Sequence, residues 1–165
     1  MRIDALVAQT RFDSPLGTLT AAATDKGLAG LWFDGQAHHP GPLAVPENPG
    51  HPVLRQVRRE LAAYWKNANV KFAVPLDLQG TPFQRKTWRA LLKIRFGSTS
   101  TYSAIAARAG SPAAVRAAGA AIGRNPVSII VPCHRVLGRD GSLTGYAGGL
   151  ERKRALLARE GALPL

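Results

Sequence analysis

Two helix starts built the same way, Thr81-Pro82-Phe83-Gln84 and Ser111-Pro112, do most to narrow what this chain can fold into. Each puts a hydroxyl residue that can cap backbone N–H groups directly before a proline. Proline suits the first helical position, where its missing N–H would have no helical partner. At the first start, Gln84 completes a capping box. That helix is expected to run to about Lys93, with Phe83, Trp88, Leu91 and Leu92 on its apolar side. Thr101 to Ala109 reads as a short helix ended by Gly110, and Ser111-Pro112 starts another over 113–123. Two short helices joined by a glycine-containing turn describe a helix-turn-helix. The second is almost all Ala and Gly, so a close neighbour can approach its backbone, either another helix or a DNA groove.

The N-terminal half reads differently. Residues 3–33 alternate apolar runs with turn signals at Asp13-Ser14-Pro15-Leu16-Gly17 and Asp25-Lys26-Gly27. Three strands near 4–12, 17–23 and 28–33, joined as hairpins, fit that pattern. From Asp34 to Pro52 the chain turns to Gly, Pro and His, which predicts a loop. His38, His39 and His51 have no Cys, Asp or Glu at ligand spacing, so no metal is expected. Val53, Leu54, Val57, Leu61, Tyr64 and Trp65 recur at helical spacing, giving an amphipathic helix over 52–67 with Arg55, Arg58 and Arg59 outward. Phe72 to Leu78 reads as an extended connection. The fold class is therefore α/β, in the α+β sense. Residues 1–79 form a small domain with an antiparallel sheet and a helix, and residues 80–165 a mostly helical domain.

The only thiol is Cys133, inside Val131-Pro132-Cys133-His134-Arg135-Val136. The run before it, 127–131, is short, apolar and β-branched, and reads as a buried strand that Pro132 would end. Two readings of Cys133 stand on the residues alone: a packed core thiol, or a nucleophile facing a pocket from a strand end. On an extended chain Cys133 and His134 point to opposite faces, so a bridging water is the natural link between them. Farther on, 138–142 is a turn and 144–149 a glycine-rich loop. A terminal helix follows over 150–160, with Leu150, Leu156 and Leu157 inward and Gly161 as its stop.

Lysine and arginine total 22 against 10 acidic residues, a net charge of +12, which favours a polyanionic partner. No apolar run is long enough to span a membrane, and no secretory pattern opens the sequence. A single cysteine leaves no internal disulfide and fits a reducing cytoplasm.

Asn125-Pro126, Pro132-Cys133-His134-Arg135-Val136, Gly145-Tyr146, Gly149-Leu150 and Leu156-Leu157-Ala158-Arg159-Glu160 together resemble the O6-alkylguanine-DNA alkyltransferase signature. The resemblance runs from about Thr81 to Gly161 and is loose before that. It implies a ribonuclease-H-like N-terminal domain and a winged-helix-like helix-turn-helix. It also implies repair of O6-alkylguanine, with O4-alkylthymine as a second substrate, by irreversible single-turnover alkyl transfer to Cys133 after base flipping. In that reading Glu160 orients His134, which takes the Cys133 proton through water, and Asn125 bonds backbone near the thiol. Tyr102 serves the leaving guanine as donor, while Tyr146, Ala147, Val136 and Ser128 line the alkyl pocket. Arg116 fills the vacated base stack, with Ser103, Ser111, Ala114, Ala117, Gly119 and Arg139 along the duplex. Two departures stand out: Arg95 where a proline is common, and Ala147 where some relatives carry a hydroxyl. No cofactor is implied. The expected partner is double-stranded DNA, bound by a monomer in solution, with clustering along DNA left open. The alternatives are a lesion sensor without chemistry and a cysteine hydrolase.

Overall fold

A computed structural model describes residues 2–163. The chain separates into two compact units, Met1–Gln79 and Gly80–Leu165.

In the first unit, β1 (Leu6–Phe12), β2 (Leu19–Thr24) and β3 (Leu28–Phe33) form an antiparallel sheet in sequence order. The turn signals read from the sequence fall between these strands, and the register pairs Phe12 with Leu19 and Leu19 with Phe33. Strands β2 and β3 are buried along their whole length, while β1 carries exposed positions. Helix α1 (Pro52–Lys66) packs against β1 and β2 through Leu54, Val57, Leu61 and Tyr64, as its apolar spacing requires. His51 caps it, its Nδ1 accepting from the Val53 N–H at 3.2 Å, and His39 likewise accepts from Gly41 at 2.9 Å. The stretch from Asp34 to Pro52 is irregular but tied down. Gln9 Nε2 donates to the carbonyls of Leu43 and Val45, and the Asn48 N–H donates to Gln9. The extended segment near Leu76 pairs with Leu28, and Gly27 admits it: a Cβ there would lie 2.5 Å from the Pro75 carbonyl oxygen.

In the second unit, α2 (Pro82–Leu91) opens with the expected capping box. Thr81 Oγ1 accepts from the Gln84 N–H, and Gln84 Oε1 accepts from the Thr81 N–H. Trp88 is fully buried, and its Nε1 donates to the Ala121 carbonyl at 2.8 Å. That bond ties α2 to α4 (Val115–Gly123), against which α3 (Tyr102–Arg108) also packs. The unit is completed by α5 (Leu150–Arg159) and by a two-residue parallel pairing of β4 (Ser100–Thr101) with β5 (Val136–Leu137).

Four expectations need correction. The helix placed over 113–123 begins at Val115. Ser111 lends no side-chain cap there, and instead its carbonyl accepts from the Ala114 N–H to close a turn. Residues 127–131 are buried but are not a strand. They form a tight turn in which the Val131 N–H reaches the Val127 carbonyl and Ile129 has φ 72°. That region is strained for a β-branched residue. Cys133 therefore does not end a strand; it opens a 3₁₀ turn, Cys133–Arg135. Finally, Leu92 and Leu150 are 41% and 48% exposed, because each sits at a helix end beyond the buried stripe.

Candidate active site

Asn125 follows α4 and organises the turn after it. Its Oδ1 accepts from the Val127 N–H at 2.9 Å, and its Nδ2 donates to the Val131 carbonyl at 2.7 Å and to Cys133 Sγ at 3.2 Å. One buried amide thus does the work a neighbouring strand would do for residues 127–131, and it fixes the thiol as well. The Asn125 bond and the positive charge of Lys153 both favour a thiolate. Burial outweighs them, and pushes the Cys133 thiol up to about 11. The resting group near neutral pH is therefore the thiol, which needs a base to become the nucleophile.

His134 and Glu160 are both buried, with His134 Nε2 at 2.8 Å from Glu160 Oε2. Arg135 Nε donates to the other carboxylate oxygen at 2.7 Å, and Arg135 Nη1 donates to the Ile94 carbonyl. Burial alone would raise the Glu160 carboxyl. The bonds and charges of His134 and Arg135 overcome it and hold Glu160 at about 2. Burial lowers the His134 imidazole below its ordinary value, against the pull of Glu160. The pair is therefore an ionised carboxylate and a neutral imidazole. A carboxylate only accepts, so Nε2 carries the proton and Nδ1 is the basic nitrogen. Nδ1 is buried and has no hydrogen-bond partner among the described residues. The Tyr146 ring meets the imidazole edge-on at 6.4 Å between centroids.

Lys153 was not anticipated from sequence. It is fully buried, and its Nζ donates to the carbonyls of Val136, Thr144 and Gly145 at 2.5, 2.9 and 3.3 Å. It thus fastens β5 to the glycine-rich loop. Burial brings the ammonium down to about 8, against the pull of Cys133. A signal for it was present: Lys153, Leu156, Leu157 and Glu160 share one helical stripe, so two charged residues stand on the face that Leu156 and Leu157 bury. Thr144 was missed too. Its hydroxyl donates to the half-buried Tyr102 OH at 2.9 Å.

The remaining candidates fall into two groups. Ser128 and Val136 are buried, and Ala147 is partly exposed. Along the helix-turn-helix, Ser103, Arg116 and Ala117 are exposed, with Ser111, Ala114 and Gly119 partly so. A Cβ on Gly119 would lie 3.7 Å from the Tyr102 ring, which brings α4 beside that tyrosine. Arg139 is exposed in the turn after β5. No hydrogen bond joins the Cys133 thiol to the His134 imidazole among the described residues.

Residues 82–162 match the family model described as 6-O-methylguanine DNA methyltransferase, DNA binding domain. Residues 7–78 match the one described as 6-O-methylguanine DNA methyltransferase, ribonuclease-like domain. The methylated-DNA–protein-cysteine methyltransferase of Mycolicibacterium paratuberculosis is 46% identical over 148 residues, covering 90% of this chain and 88% of that protein. The protein of that name from Methanosarcina acetivorans is 43% identical, covering 92% and 96%. The crystal structure of Mycobacterium tuberculosis OGT in complex with DNA superposes with a TM-score of 0.85 at 43% identity, covering 94% of both chains.

Proposed function

The chain belongs to the 6-O-methylguanine DNA methyltransferase family, and from that premise we propose that Cys133 Sγ accepts the alkyl group of an O6-alkylguanine in duplex DNA. The activity is methyl transfer from methylated DNA to a protein cysteine, a direct reversal of base damage. DNA is the partner, which agrees with the net charge of +12.

The chemistry assigned to individual residues rests mainly on one observation. The buried pair His134–Glu160 leaves a basic Nδ1 with no hydrogen-bond partner among the described residues, next in sequence to a buried thiol. A water between Sγ and Nδ1 satisfies that nitrogen and carries the thiol proton to it. Glu160 then steadies the imidazolium. The thiolate attacks the alkyl carbon from the side opposite O6, the S–C bond forms as the C–O bond breaks, and the electron pair passes to the guanine. The Tyr102 hydroxyl, held by Thr144, donates a proton to the departing base. The product is a thioether with no good leaving group. The sequence holds no second cysteine to take the alkyl on, so the protein acts once.

The lesion lies inside a duplex, so the base is flipped out to reach Cys133. The exposed run of small residues on α4 lets the helix backbone approach a groove, and Arg116 at its start occupies the gap left in the stack. O4-alkylthymine presents the same alkyl–oxygen bond and is a second substrate in this reading. In this reading the protein works as a monomer in the cytoplasm. A sensor without chemistry is disfavoured, because it has no use for a thiol held by Asn125 beside a proton acceptor. Intact-protein mass after mixing with O6-methylguanine duplex tests the assignment. One methyl group should appear on the native chain and none on Cys133→Ser. An unmodified native chain that still binds the duplex would return the sensor reading.

A further inference from the structure

Between Asp77 and Asp140 the sequence holds ten lysines and arginines and not one acidic residue. Four of those cations, Lys86, Arg89, Lys93 and Arg108, gather around a cavity of about 370 Å³ between α2 and the end of α3. Its floor is Ala90 and Ala109, both buried, and Gly110 closes one end. Small side chains on the floor leave the cationic heads as the walls. No residue of α4 lines it, and neither does any residue of the Cys133 site. None of the four cations has an ion-pair partner among the described residues.

Like charges brought together without counter-charges repel, and a bound anion relieves that. Lys86 and Arg89 lie on one face of α2 and Lys93 follows in the turn just beyond its end, a spacing of i, i+3 and i+7, so the row is about 10 Å long at helical rise. Successive phosphates on one DNA strand rise about 3.4 Å each, so the row spans roughly three nucleotides. Arg108 faces it from α3 as a fourth charge. An isolated metabolite phosphate would not use a row of this length; a phosphodiester backbone would.

We propose that this groove is a second nucleic-acid contact, taking phosphodiester groups other than those met by α4. The proposal rests on the DNA-repair reading of the Cys133 site and adds to it a grip that carries no sequence information. The phosphates belong either to the lesion duplex close to the flipped base or to DNA farther along or alongside.

The test compares the native chain with R89Q/R108Q on lesion duplexes of roughly 12 and 40 base pairs, as a function of salt. Each lost phosphate contact should flatten the log–log salt dependence by about 0.9, so the double variant should lose about 1.8. Its reaction with free O6-benzylguanine should be unchanged, which also shows that it is folded. A flatter slope on both lengths places the phosphates near the lesion; a change on the longer duplex alone places them beyond it. Equal slopes for both proteins on both duplexes would overturn the proposal. So would an equal flattening by R55Q/R59Q, exposed cations of α1, since net charge alone would then be the cause. Wild-type methylation of Cys133 in the same samples reads the repair assignment independently.

Discussion

Glu160 Oε2 lies 2.8 Å from His134 Nε2, and both side chains are wholly removed from solvent. An isolated buried carboxylate would be costly, but Arg135 at 2.7 Å supplies the opposing charge. The carboxylate therefore stays ionised and dictates which imidazole nitrogen is basic.

Glu160→Gln should consequently slow alkyl transfer by roughly 10- to 1,000-fold, between a weakened and a lost general base. DNA affinity should change little, because Glu160 is buried and presents no charge to the surface. Equal losses in binding and transfer would contradict the relay.

The same pair gives the stability a pH dependence with a definite sign. Glu160 is held at about 2 against an ordinary 4.5, so the stability it contributes is present above 4.5 and is lost as pH falls toward 2. His134 is shifted below 6.5, so the unfolded chain takes up its proton first and stability also declines as pH drops beneath 6.5. Thermal melts of the native chain should fall steadily on acidification from pH 7. The melts of Glu160→Gln should be flatter below 4.5.

Cys133→Ser should keep lesion-DNA binding and lose transfer, since a hydroxyl is a far poorer nucleophile near neutral pH. Asn125 can donate to an oxygen in place of sulfur, so the turn should persist. A chain that failed to fold on this change would instead mark Cys133 as a packing residue.

How far the sequence discloses this site depends on the range of the interactions. The Thr81 cap was legible because both of its bonds close within four residues. Ser111-Pro112 shows the same letters, yet its turn is closed by backbone and the helix waits until Val115. The apolar run 127–131 has the composition of a buried strand and is buried, yet it folds as a turn. The Asn125 side chain takes the run's Val127 N–H and Val131 carbonyl while the run's own backbone closes the turn, and no local pattern reveals that arrangement. Pairing of Glu160 with His134 spans 26 residues and was reached through family resemblance, not spacing. Lys153 stood in plain view on the buried stripe of α5, but its three carbonyl partners lie in segments without periodicity.

Lys153→Met fills similar space and removes the charge. It should destabilise the protein by about 1–3 kcal/mol, because buried carbonyls lose their donor. Transfer should fall as well, since Thr144 would no longer hold Tyr102 in place and the thiolate would lose a nearby positive charge. Undiminished transfer would confine Lys153 to a packing role.

Arg116→Ala should slow the duplex reaction much more than the reaction with free O6-benzylguanine. Flipping costs a few kcal/mol of unpairing and unstacking, which the free base avoids. Equal slowing of both would place Arg116 in the pocket or the fold.

The most direct measurement of the central claim is product formed against protein added, with O6-methylguanine duplex in large excess. Repaired guanine should rise to one equivalent per chain and stop, with the methyl group recovered on the peptide containing Cys133. Continued product formation beyond one equivalent, or a methyl group on any other residue, would contradict it.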